Sequence, residues 1–265
     1  MGTSSRWPGP GGRSGAAGEW SRASKRVSTW RSDVPDALER LDGIAAEHLA
    51  VLHRTLQEEP TAFGLYEAAC AAGERLTAAV HVWTVARDGD EFAAHFTATV
   101  GGEGGTVADA AVRRAAARSA RRLLEEEHSA GAPGGSGMSG EVFCLLYRGF
   151  FADVVAEFLR TAVAEKVKLV VPLLPALDPE DHIADWIAEH VLHLLPNPCE
   201  EATRRTESVE KAEQVVSAVE DPSIGSLRLV AHGLVPRAAG RALGLLSDRP
   251  SGSTDGTPYE GEPAA

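Results

Sequence analysis

The sequence predicts an α+β protein, in which a small helix–hairpin–helix module is followed by a mainly helical domain, with disordered termini. Two β-branched and aromatic runs, 79–85 and 91–100, flank an Asp-Gly turn, and this pattern is typical of a hairpin. From residue 141 onward, apolar side chains recur at helical spacing. Gly, Ser and Pro dominate both ends of the chain, which favours disorder there.

Composition limits the classes of function. The chain has 265 residues, with 26 basic and 38 acidic side chains and a net charge of -12. This excess of acidic residues argues against a protein whose whole surface binds nucleic acid or an anionic membrane. The sequence contains neither a long uncharged apolar stretch nor an apolar signal-peptide core. We therefore expect a cytoplasmic protein without a membrane partner.

The three cysteines, Cys70, Cys144 and Cys199, are widely spaced. Their spacing argues against a disulfide framework and against a Cys-x-x-Cys metal site. Cys70 and Cys144 lie in apolar helical stretches and are predicted to be buried packing residues. Cys199 follows Asn-Pro at a predicted helix start, where the positive end of the helix could lower its thiol pKa. No partner base is identifiable in the sequence, so we do not predict catalysis there.

Residues 1–33 are predicted to form a disordered basic tail. This segment contains six basic and two acidic residues and is rich in Gly, Ser and Pro. One interpretation is an arm that binds nucleic acid or acidic lipid, and the other is a tail without a binding role.

Residues 34–127 are predicted to form the α+β module. A helix is expected over 34–59, with His48 on its apolar face as a core histidine, and a second helix over 61–76. The hairpin and a final helix over 106–127 complete the module.

A Gly/Ser-rich linker, 128–140, separates this module from a predicted helical domain, 141–247. In the first helix of that domain an apolar stripe is expected to be buried, with Asp153, Glu157 and Arg160 on the opposite face. Asp178-Pro179 followed by two acids predicts a helix start. An acidic disordered tail, 248–265, ends the chain.

Residues 61–124 resemble the double-stranded RNA-binding domain. The features that carry the resemblance are Gly89 seven residues before Phe96, the glycines of 102–105, and the Arg/Ala run 113–118. The resemblance implies a hairpin between two helices and recognition of duplex RNA by its shape. Asp109 and Ala110 stand where that family places phosphate-gripping lysines, and an acid at that position opposes phosphate binding.

The arginines of this last helix are the candidate nucleic-acid ligands: Arg113, Arg114, Arg118 and Arg121. Several of them, with Arg122, recur on one helix face, as a phosphate-binding stripe would. The alternative is a solvated face that pairs with the acids 125–127.

A second candidate site lies on the predicted helix after Asp178. His182, Asp185, Glu189 and His193 share one face of this helix, and such residues can bind zinc or iron. An inverted zinc-protease motif is incomplete, because Trp186 stands where a histidine is needed. The alternative is that the apolar residues of this helix form the core face and the polar ones face water.

Signatures of nucleophilic or nucleotide chemistry (GxSxG, Walker A, and GxGxxG after a strand) are missing from the sequence. The sequence therefore predicts no catalytic residue and no cofactor. We expect a non-enzymatic interaction or regulatory protein of the adaptor type, whose partner is another protein. Two alternatives remain: duplex RNA binding through the Arg-rich helix, which is disfavoured, and a metal-dependent enzyme that uses the 182–193 helix.

Overall fold

A computed structural model describes residues 15–79, 89–130, 139–168, 178–213 and 224–246. These residues form nine α-helices and no strand, so the α+β prediction is wrong and the fold is mainly helical. The helices are α1 (Gly15–Thr29), α2 (Ala37–Glu58), α3 (Leu65–Ala78), α4 (Gly89–Gly101), α5 (Val107–Ala130), α6 (Gly140–Lys168), α7 (Pro179–Leu192), α8 (Pro198–Glu213) and α9 (Ile224–Ala242). A short 3-10 turn, Ala62–Gly64, precedes α3.

The second strand of the predicted hairpin is helix α4. Phe92, Phe96 and Val100 are all buried along one side of it. Residues spaced by four lie on one face of a helix. They also lie on one face of a strand, because side chains of a strand alternate between its two faces. The aromatic and β-branched composition then favoured the strand in the sequence. The first predicted strand lies mostly in 80–88, outside the described residues.

Helix α1 occupies part of the segment that was expected to be disordered. Its buried side chains Ala16, Trp20, Ala23 and Val27 recur every three or four residues and pack on α2. The Trp20 ring meets His48 edge-on, with ring centroids 4.8 Å apart. Because Gly, Ser and Arg fill the intervening positions, mean composition hides this apolar stripe.

Helix α6 lies at the centre of the fold. Its residues from Phe143 to Val163 are buried on nearly every side, and α5, α7 and α9 pack around it. A helix surrounded in this way exposes little of its surface to solvent. The expectation that Asp153 and Glu157 lie on an exposed face is therefore wrong, because both side chains are buried.

Helices from both sides of the predicted 128–140 linker contribute to one hydrophobic core. Helix α2 packs on α7, α3 packs on α9, and α5 packs on α6. Residues 128–130 belong to α5, and 131–138 lie outside the described residues.

Two local expectations concern single residues, Asp178 and His48. Asp178 begins α7 as predicted, since its carboxylate accepts a hydrogen bond from the Glu180 amide at 2.9 Å. Helix α9 runs unbroken through Gly233 and through Pro236, although proline usually kinks or breaks the interior of a helix. His48 is a buried core residue whose ring Nδ1–H donates to the Ile44 carbonyl at 2.7 Å. None of the helices in the described ranges is both long and apolar enough to cross a membrane.

A disulfide joins Cys144 at the start of α6 to Cys199 at the start of α8, with Cα atoms 6.0 Å apart. The sequence argument against disulfides is therefore wrong for this pair. Distance along the chain does not report distance in space, and these cysteines are 55 residues apart. Closing a loop of that size contributes about 4 kcal/mol in the chain-entropy model. Cys70 is a free thiol that is only partly buried against the core, and burial raises its pKa.

Gly73 marks the closest helix packing of this core. A Cβ added to Gly73 would lie 2.5 Å from Phe151 Cζ on α6 and 2.9 Å from Val235 Cγ1 on α9. Both neighbours are buried and have little room to move. Gly233 lies in the exposed part of α9, where an added Cβ meets nothing within 4 Å.

We predict that Gly73→Ala lowers the free energy of unfolding by about 1–3 kcal/mol through overpacking, although Ala is the better helix former. The matched control Gly233→Ala should raise that free energy by about 0.5–1 kcal/mol, because it gains helix propensity without a clash. Urea unfolding of both variants tests the packing. Equal gains in stability for the two would contradict the close contact of α3 with α6 and α9.

Candidate functional site

The arginines of α5 meet two buried carboxylates of α6. Arg118 Nε lies 3.3 Å from Asp153 Oδ1, and Arg118 Nη1 lies 3.4 Å from Glu157 Oε1. Arg122 Nη2 lies 2.9 Å from Asp153 Oδ1. Arg118 also pairs with Asp185 of α7. The predicted arginine stripe therefore turns, at these positions, toward the protein interior.

The second carboxylate oxygen of Glu157, Oε2, has its own basic partners. Arg114 Nε lies 3.2 Å from Glu157 Oε2, and its guanidinium also donates to the Thr161 hydroxyl. Arg160 lies 3.7 Å from the same carboxylate oxygen and 2.5 Å from Asp181 of α7. Ion pairs thus join α5, α6 and α7. We call this set of residues the interhelical charge network: Arg114, Arg118, Arg122, Asp153, Glu157, Arg160, Asp181 and Asp185.

Asp153 and Glu157 are the most buried members of the network, with 0% and 2% of their surface exposed. They lie four residues apart and so share one face of α6. Burial raises the pKa of Asp153, and the Arg122 and Arg118 charges with the Ser119 hydroxyl oppose that rise. Burial lowers the pKa of Arg118, but the carboxylates of Asp153, Asp185 and Glu157 outweigh it and the net direction is upward.

This geometry favours structural pairing over acid–base chemistry. A general base needs a lone pair directed at a substrate. Asp153 accepts hydrogen bonds from Arg122 and Ser119 and forms an ion pair with Arg118. Glu157 accepts hydrogen bonds from Arg114 and Arg118 and forms an ion pair with Arg160. Charges buried this deeply are tolerated only when they are paired and hydrogen-bonded.

The four predicted nucleic-acid residues do not form one surface. Arg114 and Arg118 belong to the interhelical charge network. Arg113 donates to the Gly104 carbonyl and so braces the turn between α4 and α5. Arg121 is exposed to solvent.

Asp109, which replaces a lysine of the RNA-binding family, caps α5. Its carboxylate accepts from the Thr106 amide at 2.9 Å and from the Thr106 hydroxyl at 2.7 Å. The Thr106 hydroxyl oxygen accepts in turn from the Asp109 amide at 3.1 Å. This reciprocal pairing is a capping box. Burial raises the pKa of Asp109, but the hydrogen bonds from Thr106 and the nearby Arg113 charge outweigh it and lower the pKa.

Two of the four predicted metal ligands of α7 have partners on other helices, and the other two are exposed. His182 Nε2 lies 2.8 Å from Asp42 Oδ1 of α2, and Asp185 pairs with Arg118. Glu189 and His193 are exposed. Within the described ranges no group of three or more His, Cys, Asp or Glu side chains is arranged to hold a metal ion.

Asp153 and Glu157 are the site residues that the sequence interpretation missed. The available signal was two acids, four residues apart, inside the apolar run 150–159. Such a pair implies basic partners if the helix is surrounded. The arginines at 114, 118 and 122 have the same spacing of four and supply those partners.

Comparison with known proteins identifies no relative: the chain matches no protein-family model, no curated protein and no solved structure. The resemblance of 61–124 to the double-stranded RNA-binding domain thus stays a prediction. The described part of that segment consists of helices.

We predict that Arg118→Met lowers the free energy of unfolding by about 3–5 kcal/mol, because it leaves two buried carboxylates short of a partner. The control is Arg121→Met on the same helix, which should change that free energy by less than about 0.5 kcal/mol because Arg121 is exposed. Chemical unfolding monitored by circular dichroism measures both. An Arg118 variant as stable as the Arg121 variant would contradict the network.

Proposed function

We propose that the chain is a non-enzymatic interaction or regulatory protein of the adaptor type, which binds another protein through its helical body. The observation that carries the proposal is the interhelical charge network. It places eight ionisable groups between three helices, where the groups hold the helices together.

The network bears on function because shifted pKa values occur both at catalytic sites and in structural ion-pair networks. In a catalytic site, a raised carboxyl pKa serves proton transfer to a bound substrate. Asp153 is instead held by Arg118, Arg122 and Ser119, and each of these partners is supplied by α5. This arrangement supports a role in fixing the positions of α5 and α6.

The cysteines support the same interpretation. The thiolate is the nucleophilic form of cysteine, and Cys199 uses its sulfur in the bond to Cys144. Burial raises the pKa of Cys70, which disfavours its thiolate. Binding rather than nucleophilic catalysis is therefore the simpler function for this chain.

Duplex RNA binding remains the competing hypothesis, and the arginines separate the two. Phosphate contacts require exposed guanidiniums. Arg114 and Arg118 are engaged with carboxylates, whereas Arg121 is exposed. An RNA-binding surface on α5 would therefore depend on Arg121 and on the remaining exposed part of Arg113.

The test compares three kinds of ligand on one preparation of the full chain. After cross-linking in its native host and nuclease treatment, we expect a protein partner that rebinds as a purified component at fixed stoichiometry. Arg121→Gln should leave this binding unchanged, and duplex RNA should not bind at about 150 mM salt. Three outcomes would contradict the proposal. The first is binding of duplex RNA that Arg121→Gln weakens, and the second is one bound equivalent of metal per chain that His182→Asn loses. The third is failure of every purified partner to rebind.

The predicted cytoplasmic location is the part of the proposal that the Cys144–Cys199 bond opposes, and the redox state of these two cysteines in cells tests it. Disulfides are rare in the cytosol, where thiols are kept reduced. A cytoplasmic chain should therefore label at Cys144 and Cys199 when intact cells are treated with a permeant alkylating reagent, as measured by mass spectrometry. Free Cys70, labelled after denaturation, is the internal control. Oxidised Cys144 and Cys199 in intact cells would place the chain in an oxidising compartment.

A further inference from the structure

An open cavity of about 230 Å³ lies where the end of α1 meets the start of α2. It belongs to neither predicted site and is remote in sequence from the interhelical charge network. Three arginines, one threonine and three apolar residues line it: Arg26, Thr29, Trp30, Arg31, Val34, Arg40 and Ile44.

The apolar part of this lining is fixed in place. Ile44 and Trp30 are buried in the core, with 2% and 8% of their surface exposed. The Trp30 indole N–H donates to the Ala37 carbonyl at 2.8 Å, which ties the end of α1 to the start of α2. Trp30 and Ile44 therefore give the cavity a rigid, partly aromatic wall on one side.

The arginines make the cavity cationic. Arg26 pairs with Glu47, and Arg31 lies 3.1 Å from Asp33. No carboxylate of the described residues pairs with Arg40, whose side chain is exposed. Three guanidiniums and no carboxylate line the cavity, and the two paired acids, Glu47 and Asp33, lie outside its lining. The guanidiniums keep their charge at all ordinary pH values because arginine does not deprotonate in proteins.

The chemistry of this lining selects a class of ligand. A guanidinium binds a carboxylate or phosphate through two parallel hydrogen bonds, which a neutral group cannot reproduce. The wall of Trp30, Val34 and Ile44 suits an apolar or aromatic body. The volume is below that of a typical drug-sized pocket and limits the body to a compact one.

We propose that this cavity binds a small organic anion, whose acidic group contacts Arg40 and its neighbours and whose compact apolar body lies against Trp30, Val34 and Ile44. The acidic group is a carboxylate or a phosphate ester, which the arginines would hold in the same way. This inference concerns a small ligand rather than a protein partner, so it stands independently of the proposed function.

Calorimetric titration of the full chain tests the proposal with benzoate and phenyl phosphate as probes. We expect at least one of them to bind saturably, one per chain, and to bind more weakly as salt rises from about 50 to 300 mM. Benzamide lacks the charge, and acetate and inorganic phosphate lack the apolar body, so each should bind at least about tenfold more weakly. The better of the two probes identifies the acidic group.

Arg40→Gln should weaken binding of that probe by about tenfold without a change in melting temperature, because Arg40 is exposed. The matched control is Arg22→Gln, an exposed arginine of α1 outside the cavity, which should bind as tightly as the natural chain. The proposal fails if neither probe saturates below about 10 mM. It also fails if benzamide or acetate binds equally well, or if the two variants behave alike.

Discussion

Two carboxylates inside the central helix set the arrangement of its neighbours. Asp153 and Glu157 lie on α6, which other helices surround, and an unpaired charge in that position would cost several kcal/mol. The cost is offset only where guanidiniums reach both side chains. Arg114, Arg118 and Arg122, four residues apart on α5, meet this requirement. The register of α5 against α6 is thereby defined by charge as well as by apolar packing.

The same constraint determines which basic groups are left for ligands. An arginine that neutralises a buried acid cannot leave it for a phosphate without exposing the acid to an apolar environment. Arg118 is in this position toward Asp153 and Glu157. The chain has a net charge of -12. Among the described residues, the basic side chains that remain exposed are therefore more informative about binding than the number of arginines in a helix.

The sequence predicted features that depend on neighbouring residues. The cap at Asp178 and the apolar face around His48 were correctly placed, because both follow from spacing within one helix. Features that depend on tertiary contacts were missed. Phe92 and Phe96 fit a strand or a helix equally well by spacing, and only packing in the core decides for the helix. The pairing of Cys144 with Cys199 depends on how α6 and α8 meet.

The sequence indicated which residue types form the candidate sites, but not whether their side chains face solvent or another helix. The periodicity of the α5 arginines is correct, yet an amphipathic pattern does not say whether the polar stripe faces water or a second polar stripe on a buried helix. The acids of α6 carried that information, because two carboxylates in an apolar run need partners. Conversely, no regular spacing in the sequence links Arg26, Arg31 and Arg40. They line one cavity only because the chain turns at Trp30 between α1 and α2. Arginines paired with buried carboxylates serve the fold here, and exposed arginines beside a rigid apolar wall remain available for an anion.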